Sequence, residues 1–349
     1  MLCFEENGDL GCSLIEHISI LQTNITSSGC RMLLLSQKNL TVLCYEKLIL
    51  ALSYLFVQFR NSVESKRFSL QQLHPAVVKS NSCFEQIHNA VSICPRLAIS
   101  KIKVEFPASF VGIGIGQMAS IPNSNLQKLS FVGSEVFEIS FTDIIASFLC
   151  CGIGARLLHL TISHIKNVDT AGIIAICPNL KSLKLFENIS YVYKDIPNSL
   201  KVNGCVKQLE KFSFTGSDPL DEFETFPPET HISHFLSSPQ LMYLKVQLCR
   251  TFTDAALETA FQMTRFLNLT FVDISLCNSI TNSGLDHFKF SDNSICFFSV
   301  HNCENVDTKL LEMEWNSLSK ENNWNVEMYF NSEFGDNEEV DDGMQMEND

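Results

Sequence analysis

The chain contains fourteen cysteines, a residue type that can act as a nucleophile or bind metal. No two of them form the Cys-x-x-Cys pair that structural zinc sites commonly use. Cys249, Cys277 and Cys303 instead recur at nearly regular intervals, which predicts one buried position repeated along the chain. The cysteines therefore indicate a structural core, and we expect no bound metal.

Two other spacings could suggest a catalytic or cofactor site. His231 and His234 could lie one helical turn apart, but no acidic or cysteine partner sits at ligand spacing, so we predict a solvated turn there. The glycines at 112, 114 and 116 lack the final spacing of the dinucleotide-binding G-x-G-x-x-G motif. The nucleophile elbow, the Walker A motif and the H-E-x-x-H motif are all absent from the sequence. We therefore expect a protein that is not an enzyme and binds no cofactor.

A repeated pattern organises the chain that carries these residues. Three segments beginning at Leu241, Leu269 and Ile295 follow one template, in which apolar residues stand at positions one, four and six and cysteine at position nine. Weaker copies begin at these upstream residues: Ile15, Leu40, Ile99, Leu126, Leu157, Leu180 and Leu209. The alternation within each copy is that of a half-buried strand. Each copy alone is too short to bury its apolar face, so successive copies must stack.

The pattern predicts an α/β leucine-rich-repeat solenoid of about ten units, a horseshoe with a parallel concave sheet and convex helices. Cys249, Cys277, Cys303 and Asn188 follow the strands and are predicted to fill the inward corner of their units. An asparagine there can also bond the loop backbone. Thr253, Thr281 and Asp307 stand where the side chains should cap the convex helices.

The corner cysteines and the Cys-Pro-x-Leu openings at 94–97 and 177–180 resemble the cysteine-containing leucine-rich repeat. This subtype is typical of F-box/leucine-rich-repeat substrate receptors of cullin-RING ubiquitin ligases. The resemblance covers roughly residues 12–330 and is strongest over 157–311. It implies substrate recognition in an SCF-type ligase. The first repeat begins near Ile15 with no F-box ahead of it, so we expect a cullin-ligase adaptor to be reached through a missing or separate module.

Four segments are predicted along the chain. Residues 1–45 carry poorly capped N-terminal repeats, and 46–95 form either an enlarged repeat or a separate binding element, with a helix over 47–59. Residues 96–331 carry the main repeats and end in a terminal strand near 325–330. Residues 332–349 are predicted to be a disordered acidic tail, because eight of them are Asp or Glu and none is Lys or Arg.

Charge limits the partners that the chain is expected to bind. The formal net charge is −14 and the isoelectric point about 5.1, which disfavours contact with nucleic acid or with anionic membranes. The longest apolar run, 48–57, is too short to span a bilayer. No secretion signal is visible, so a cytoplasmic or nuclear location is expected.

The concave face is the predicted partner site. The residue directly before the second inward strand position is aromatic in three successive units, at Tyr243, Phe271 and Phe297. Lys184, Lys211 and Lys245 should lie beside these rings and could meet an acidic segment of a partner, and Asp273 belongs to the same predicted partner-binding face. The rings have three interpretations: a protein interface, a surface covered by the chain's own C-terminus, or simple strand propensity. The alternative function is a stand-alone binding or inhibitor module unrelated to ubiquitination.

Overall fold

The computed structural model describes most of the predicted repeats. It covers residues 15–20, 23–37, 39–45, 48–59, 68–73, 76–78, 86, 89–90, 92–94, 98–99, 102–104, 127–133, 140–142, 152, 154–196, 206–217, 226–289 and 294–331. The glycines at 112–116 and the predicted acidic tail 332–349 lie outside these described residues.

The larger of the two described sheets has ten strands, and every described pair of its strands is parallel. Its strands, in spatial order from the C-terminal edge, are β14 (Glu327–Asn331), β13 (Phe297–His301), β12 (Phe271–Ser275), β11 (Tyr243–Gln247), β10 (Lys211–Thr215), β9 (Ser182–Phe186), β8 (His159–Ser163), β7 (Lys128–Val132), β6 (Ile102–Val104) and β4 (Ala76–Val78). Neighbours in space from β6 to β14 are neighbours in sequence, as a solenoid requires. The chain therefore folds as an α/β leucine-rich-repeat solenoid.

A second, four-stranded parallel sheet contains β1 (His17–Ser19), β2 (Val42–Cys44), β3 (Gln72–Leu73) and β5 (Ala98–Ile99). The strands β3 and β4 follow one another closely in sequence but pair in different sheets, and so do β5 and β6. The sequence analysis did not predict strands at 72–78. The predicted boundaries near 45, 95 and 331 stay predictions.

The strand alternation buries one face of the long sheet. In β11 and β12 the residues alternate between half-buried and fully buried. Leu244, Val272 and Phe298 are in register and have no exposed surface, and Val246, Ile274 and Val300 repeat this two residues later. The inward helix residues Leu257 and Leu311 belong to the same core. The opposite face of the ten-stranded sheet, predicted to be concave, is called the open face below.

Several of the helices between strands begin at a capping side chain. They are α1 (Ser27–Ser36), α2 (Leu48–Phe59), α3 (Thr170–Ile176), α4 (Glu229–Leu236), α5 (Asp254–Thr264), α6 (Asn282–Leu285) and α7 (Thr308–Asn322). Thr253, Thr281 and Asp307 each accept a backbone N–H of the first turn, which confirms the three predicted caps. The helix predicted over 47–59 is also confirmed.

Candidate functional site

Strand register brings the three predicted aromatic residues together on the open face. Tyr243, Phe271 and Phe297 are direct cross-strand partners on β11, β12 and β13. The ring centroids lie 4.4 Å apart in both pairs, and the planes are tilted by 6° and 4°. We call these three residues the aromatic ladder. Because parallel strands lie about 4.8 Å apart, an in-register ladder forces the rings into this stack.

The aromatic ladder is half-buried although no helix covers it among the described residues. The neighbouring rings and strands shield each ring, and this burial raises the pKa of the Tyr243 phenol. Each ring nevertheless keeps part of its surface exposed to solvent. A flat, rigid and partly dehydrated apolar strip of this kind suits a protein contact.

Charged residues continue the row at both ends of the aromatic ladder. Lys211 on β10 is the register partner of Tyr243, and Glu327 on β14 is the partner of Phe297. Tyr329 adds a fourth ring diagonally, 5.5 Å from Phe297, and its hydroxyl donates to the Glu327 carboxylate. The sequence analysis did not single out Tyr329, although the alternation of the terminal strand places it on the open face.

The three predicted lysines do not share one environment. Lys245 pairs with Asp273 on the next strand at 3.0 Å, so much of its charge is compensated within the sheet. Lys184 and Lys211 are exposed, and neither makes an ion pair with a described residue. Nearby, burial and then the charge of Lys128 lower the pKa of His159, which favours its neutral form. The structure thus separates one compensated lysine from two available cations.

Phe186 is a further open-face residue that the sequence analysis missed. It lies on β9 two residues after Lys184, so both side chains point to the same face, and 43% of Phe186 is exposed. Its ring centroid is 6.0 Å from the imidazole of His164. The repeat template treated this position as an ordinary strand end, and only the exposure of the ring distinguishes it.

The corner cysteines lie where the repeat pattern predicts, at the inward turn after β11, β12 and β13. Cys249 and Cys277 are fully buried, and Cys303 is 5% exposed. Burial raises the pKa of Cys249 and of Cys303 to about 11 and raises that of Cys277 as well. Thiols held protonated in this way are poor nucleophiles and poor metal ligands at neutral pH.

Asn188 occupies the equivalent corner after β9. Its side-chain oxygen accepts the Ile165 N–H at 3.1 Å, and its amide donates to the Ile162 carbonyl at 3.1 Å. It also donates to the Tyr191 hydroxyl at 3.2 Å. One buried amide therefore connects the β8 unit to the β9 unit.

The prediction of a solvated turn at His231 and His234 is wrong. Both residues lie in α4, and His231 is 1% exposed because its helix face packs inward with Ile232 and Phe235. Its Nδ1 atom lies 2.6 Å from the Thr170 hydroxyl, which supplies the hydrogen bond that a buried imidazole needs. Burial lowers the pKa of His231 and so favours the neutral ring.

Two other features are absent from the part of the chain that the structure describes. In the described ranges, His, Cys, Asp and Glu side chains form no group of three or more that could hold a metal ion. Over the same ranges, no helix combines the length and the apolar composition needed to cross a bilayer.

The likeness of this chain to known proteins is limited to solved structures of low sequence identity. No family model matches the chain, and no curated protein matches it. Among solved structures, the chain is similar to one in the crystal structure of the Rad7 and Elc1 complex in yeast, with 13% identity and a TM-score of 0.35 over 87% of this chain and 83% of that chain. It is also similar to the leucine-rich repeat-containing protein LegL7 from Legionella pneumophila, with 11% identity and a TM-score of 0.37 over 80% and 82%. The solenoid fold rests on the chain's own strand register.

Proposed function

We propose that this chain is a non-enzymatic scaffold that binds a partner protein on its open face. The observation that carries the proposal is the aromatic ladder, a rigid stack of three rings with no described covering element. Aromatic residues dominate the binding energy of protein interfaces because they bury much apolar area and lose little side-chain entropy. The available cations Lys184 and Lys211 add a preference for acidic partner segments.

The finer proposal is substrate recognition in SCF-type, ubiquitin-ligase-dependent protein degradation. Its support is the resemblance of the repeats, with buried cysteines at three successive corners. A docking module for the ligase adaptor would be supplied separately or by sequence outside this chain. A stand-alone binding or inhibitor module would use the same open face without an adaptor.

The test is affinity purification of the tagged chain from extract, followed by mass spectrometry. The ladder variant carries Tyr243→Ala, Phe271→Ala and Phe297→Ala. The matched control carries Met263→Ala, Leu267→Ala and Met313→Ala, which remove exposed apolar side chains from other parts of the surface. Circular dichroism first establishes that both variants are folded.

We expect at least one protein to be retained by wild type and by the control but lost from the ladder variant. Recovery of a cullin-ligase adaptor with all three baits would support the ligase proposal. A ladder-dependent partner without an adaptor would support the stand-alone module. If the ladder variant captured the same proteins as wild type, that result would contradict binding on the open face.

A further inference from the structure

The open face has a charge and apolar pattern that extends beyond the aromatic ladder. From β14 to β9 it presents the exposed ring of Tyr329, the aromatic ladder, the cations Lys211 and Lys184, and the exposed ring of Phe186. Two other lysines of this region already pair with carboxylates, Lys245 with Asp273 at 3.0 Å and Lys181 with Glu210 at 2.8 Å. A complementary occupant must therefore offer apolar groups separated by negative charge.

The chain itself contains such a segment, directly after the last strand. Residues 332–349 follow Asn331, which ends β14 at the edge of the sheet. Among them, Phe334 and Val340 flank Asp336, Glu338 and Glu339, and Asp341 and Asp342 follow at once. The segment has no Lys or Arg, so its charge is opposite to that of the two available cations.

The segment is long enough to cross the face. Asn331 and Phe186 share one register row, five strand spacings apart, which is about 24 Å. Lys211 on β10 lies four strands from β14. It stands four residues before Thr215, which shares the row of Asn331, so the distance from Asn331 to Lys211 is about 23 Å. An extended chain advances about 3.3 Å per residue, so about seven residues reach Lys211, and Glu338 is the seventh after Asn331. Phe334 is the third residue after Asn331, so the chain length limits it to within about 10 Å of the end of β14.

We propose that residues 334–342 dock in extended form across the open face, from β14 towards β9. Phe334 packs against Tyr329 and the adjoining end of the aromatic ladder. The carboxylates of residues 338–342 meet Lys211 and Lys184, and Val340 approaches Phe186. Because the segment is tethered to β14, its effective concentration at the face is on the order of millimolar, which compensates for the modest strength of exposed ion pairs.

The docking gives the open face an intramolecular competitor. A partner would have to displace the segment and would therefore share its chemistry, with acidic residues between apolar ones. This inference concerns the same face as the proposed function, but it makes no use of any partner, so the two can fail separately.

The test is zero-length carbodiimide cross-linking of the full chain at low salt, with peptide mapping by mass spectrometry. We expect amide bonds between Lys184 or Lys211 and the carboxylates of residues 338–342. Lys309 and Lys320 on α7 are the internal controls, because both are exposed and both are nearer in sequence to the segment. The ratio of links at these two pairs of lysines separates docking from random contact.

A second variant keeps the folded residues unchanged and alters only the segment. It carries Glu338→Gln, Glu339→Gln, Asp341→Asn and Asp342→Asn in the full chain. Because amides cannot be activated by carbodiimide, the matched comparison uses binding. A synthetic peptide of residues 332–349 should bind this variant at least several-fold more tightly than it binds wild type, whose face is already occupied. The variant with Lys184→Gln and Lys211→Gln should lose the peptide.

Links that favour Lys184 and Lys211 and do not change on dilution would support docking within one chain. Links spread equally to Lys309 and Lys320, or equal peptide binding by wild type and by the segment variant, would overturn it. Links that vanish on dilution would assign the contact to a second copy and would also overturn it. Ladder-dependent capture of a partner, if it persists, would show that only the docking had failed.

Discussion

The two ends of the solenoid differ in how regularly the sheet is built. From β7 to β14 every strand has five residues, and the pairs from β7 onward stay in register for the full strand. From β1 to β6 the strands have two or three residues and are divided between two sheets. Within the regular half, a buried cysteine or asparagine fills the corner after β9, β11, β12 and β13. Regular spacing thus produces a continuous open face, and irregular spacing interrupts it.

The largest expected effect comes from removing a ring in the regular half. Phe298 is fully buried, stacks on Trp315 at 4.2 Å and also contacts Phe330. Phe298→Ala should lower the free energy of unfolding by about 3–5 kcal/mol, because the surrounding rings cannot collapse into the cavity. Hydrogen exchange should accelerate in β12–β14 and stay unchanged in β1 and β2, since repeat units interact mainly with their neighbours. Equal acceleration at both ends would remove the distinction between them.

A smaller effect is expected where two units approach at a glycine. A Cβ atom at Gly216 would lie 2.1 Å from the backbone oxygen of Leu248, in the next unit. Gly216→Ala should therefore destabilise the fold by about 1–3 kcal/mol, as overpacking does. The counterpart in the irregular half is Gly29→Ala, whose nearest contact is the Ile25 side chain at 3.2 Å. The Gly29→Ala substitution should change the free energy of unfolding, measured in urea, by less than about 0.5 kcal/mol.

One outcome of these two substitutions would contradict the difference between the two halves. If Gly29→Ala destabilised the fold as much as Gly216→Ala, unit packing would be equally tight at both ends.

The last predicted effect is absent at neutral pH and appears only in alkaline solution. Burial raises the pKa of Cys249 and of Cys303 from 9.0 to about 11. In the unfolded chain these thiols ionise from about pH 9, whereas in the folded chain they stay protonated, so stability is intact below pH 9 and falls between pH 9 and 11. The loss should be on the order of 1.4 kcal/mol per pH unit for each thiol.

Replacing Cys249 and Cys303 together with alanine is the control for this dependence, because it removes two of the buried thiols that titrate in this range. Thermal unfolding measured from pH 8 to pH 11 checks the slope, which should be shallower in the double variant than in wild type. An unchanged slope would mean that other groups cause the loss.

The sequence predicted the regular half well because its signals are local and repeated. The alternation around Leu244, Val272 and Phe298 predicted the strands, and Thr253 and Asp307 predicted helix starts. The same in-phase template predicted that Tyr243, Phe271 and Phe297 share one row.

Other features depend on tertiary contacts that a single sequence does not reveal. The strands at 72–78 are two and three residues long, too short for a period to appear. His231 is buried because α4 turns it towards Thr170, a residue 61 positions away. The separation of Lys245 from Lys184 and Lys211 follows from the Asp273 ion pair, and only the register of β11 against β12 makes that pair.

The central claim, that partners bind on the open face, is tested most directly by site-specific photocross-linking in cells. A photoreactive residue replaces Ser213, which lies on β10 beside Lys184 and Lys245, or Met263, which is exposed on α5. We predict protein adducts from position 213 that disappear in the ladder variant, and none of the same proteins from position 263. Adducts of the same proteins from position 263 alone would place the interface elsewhere on the surface and contradict the account.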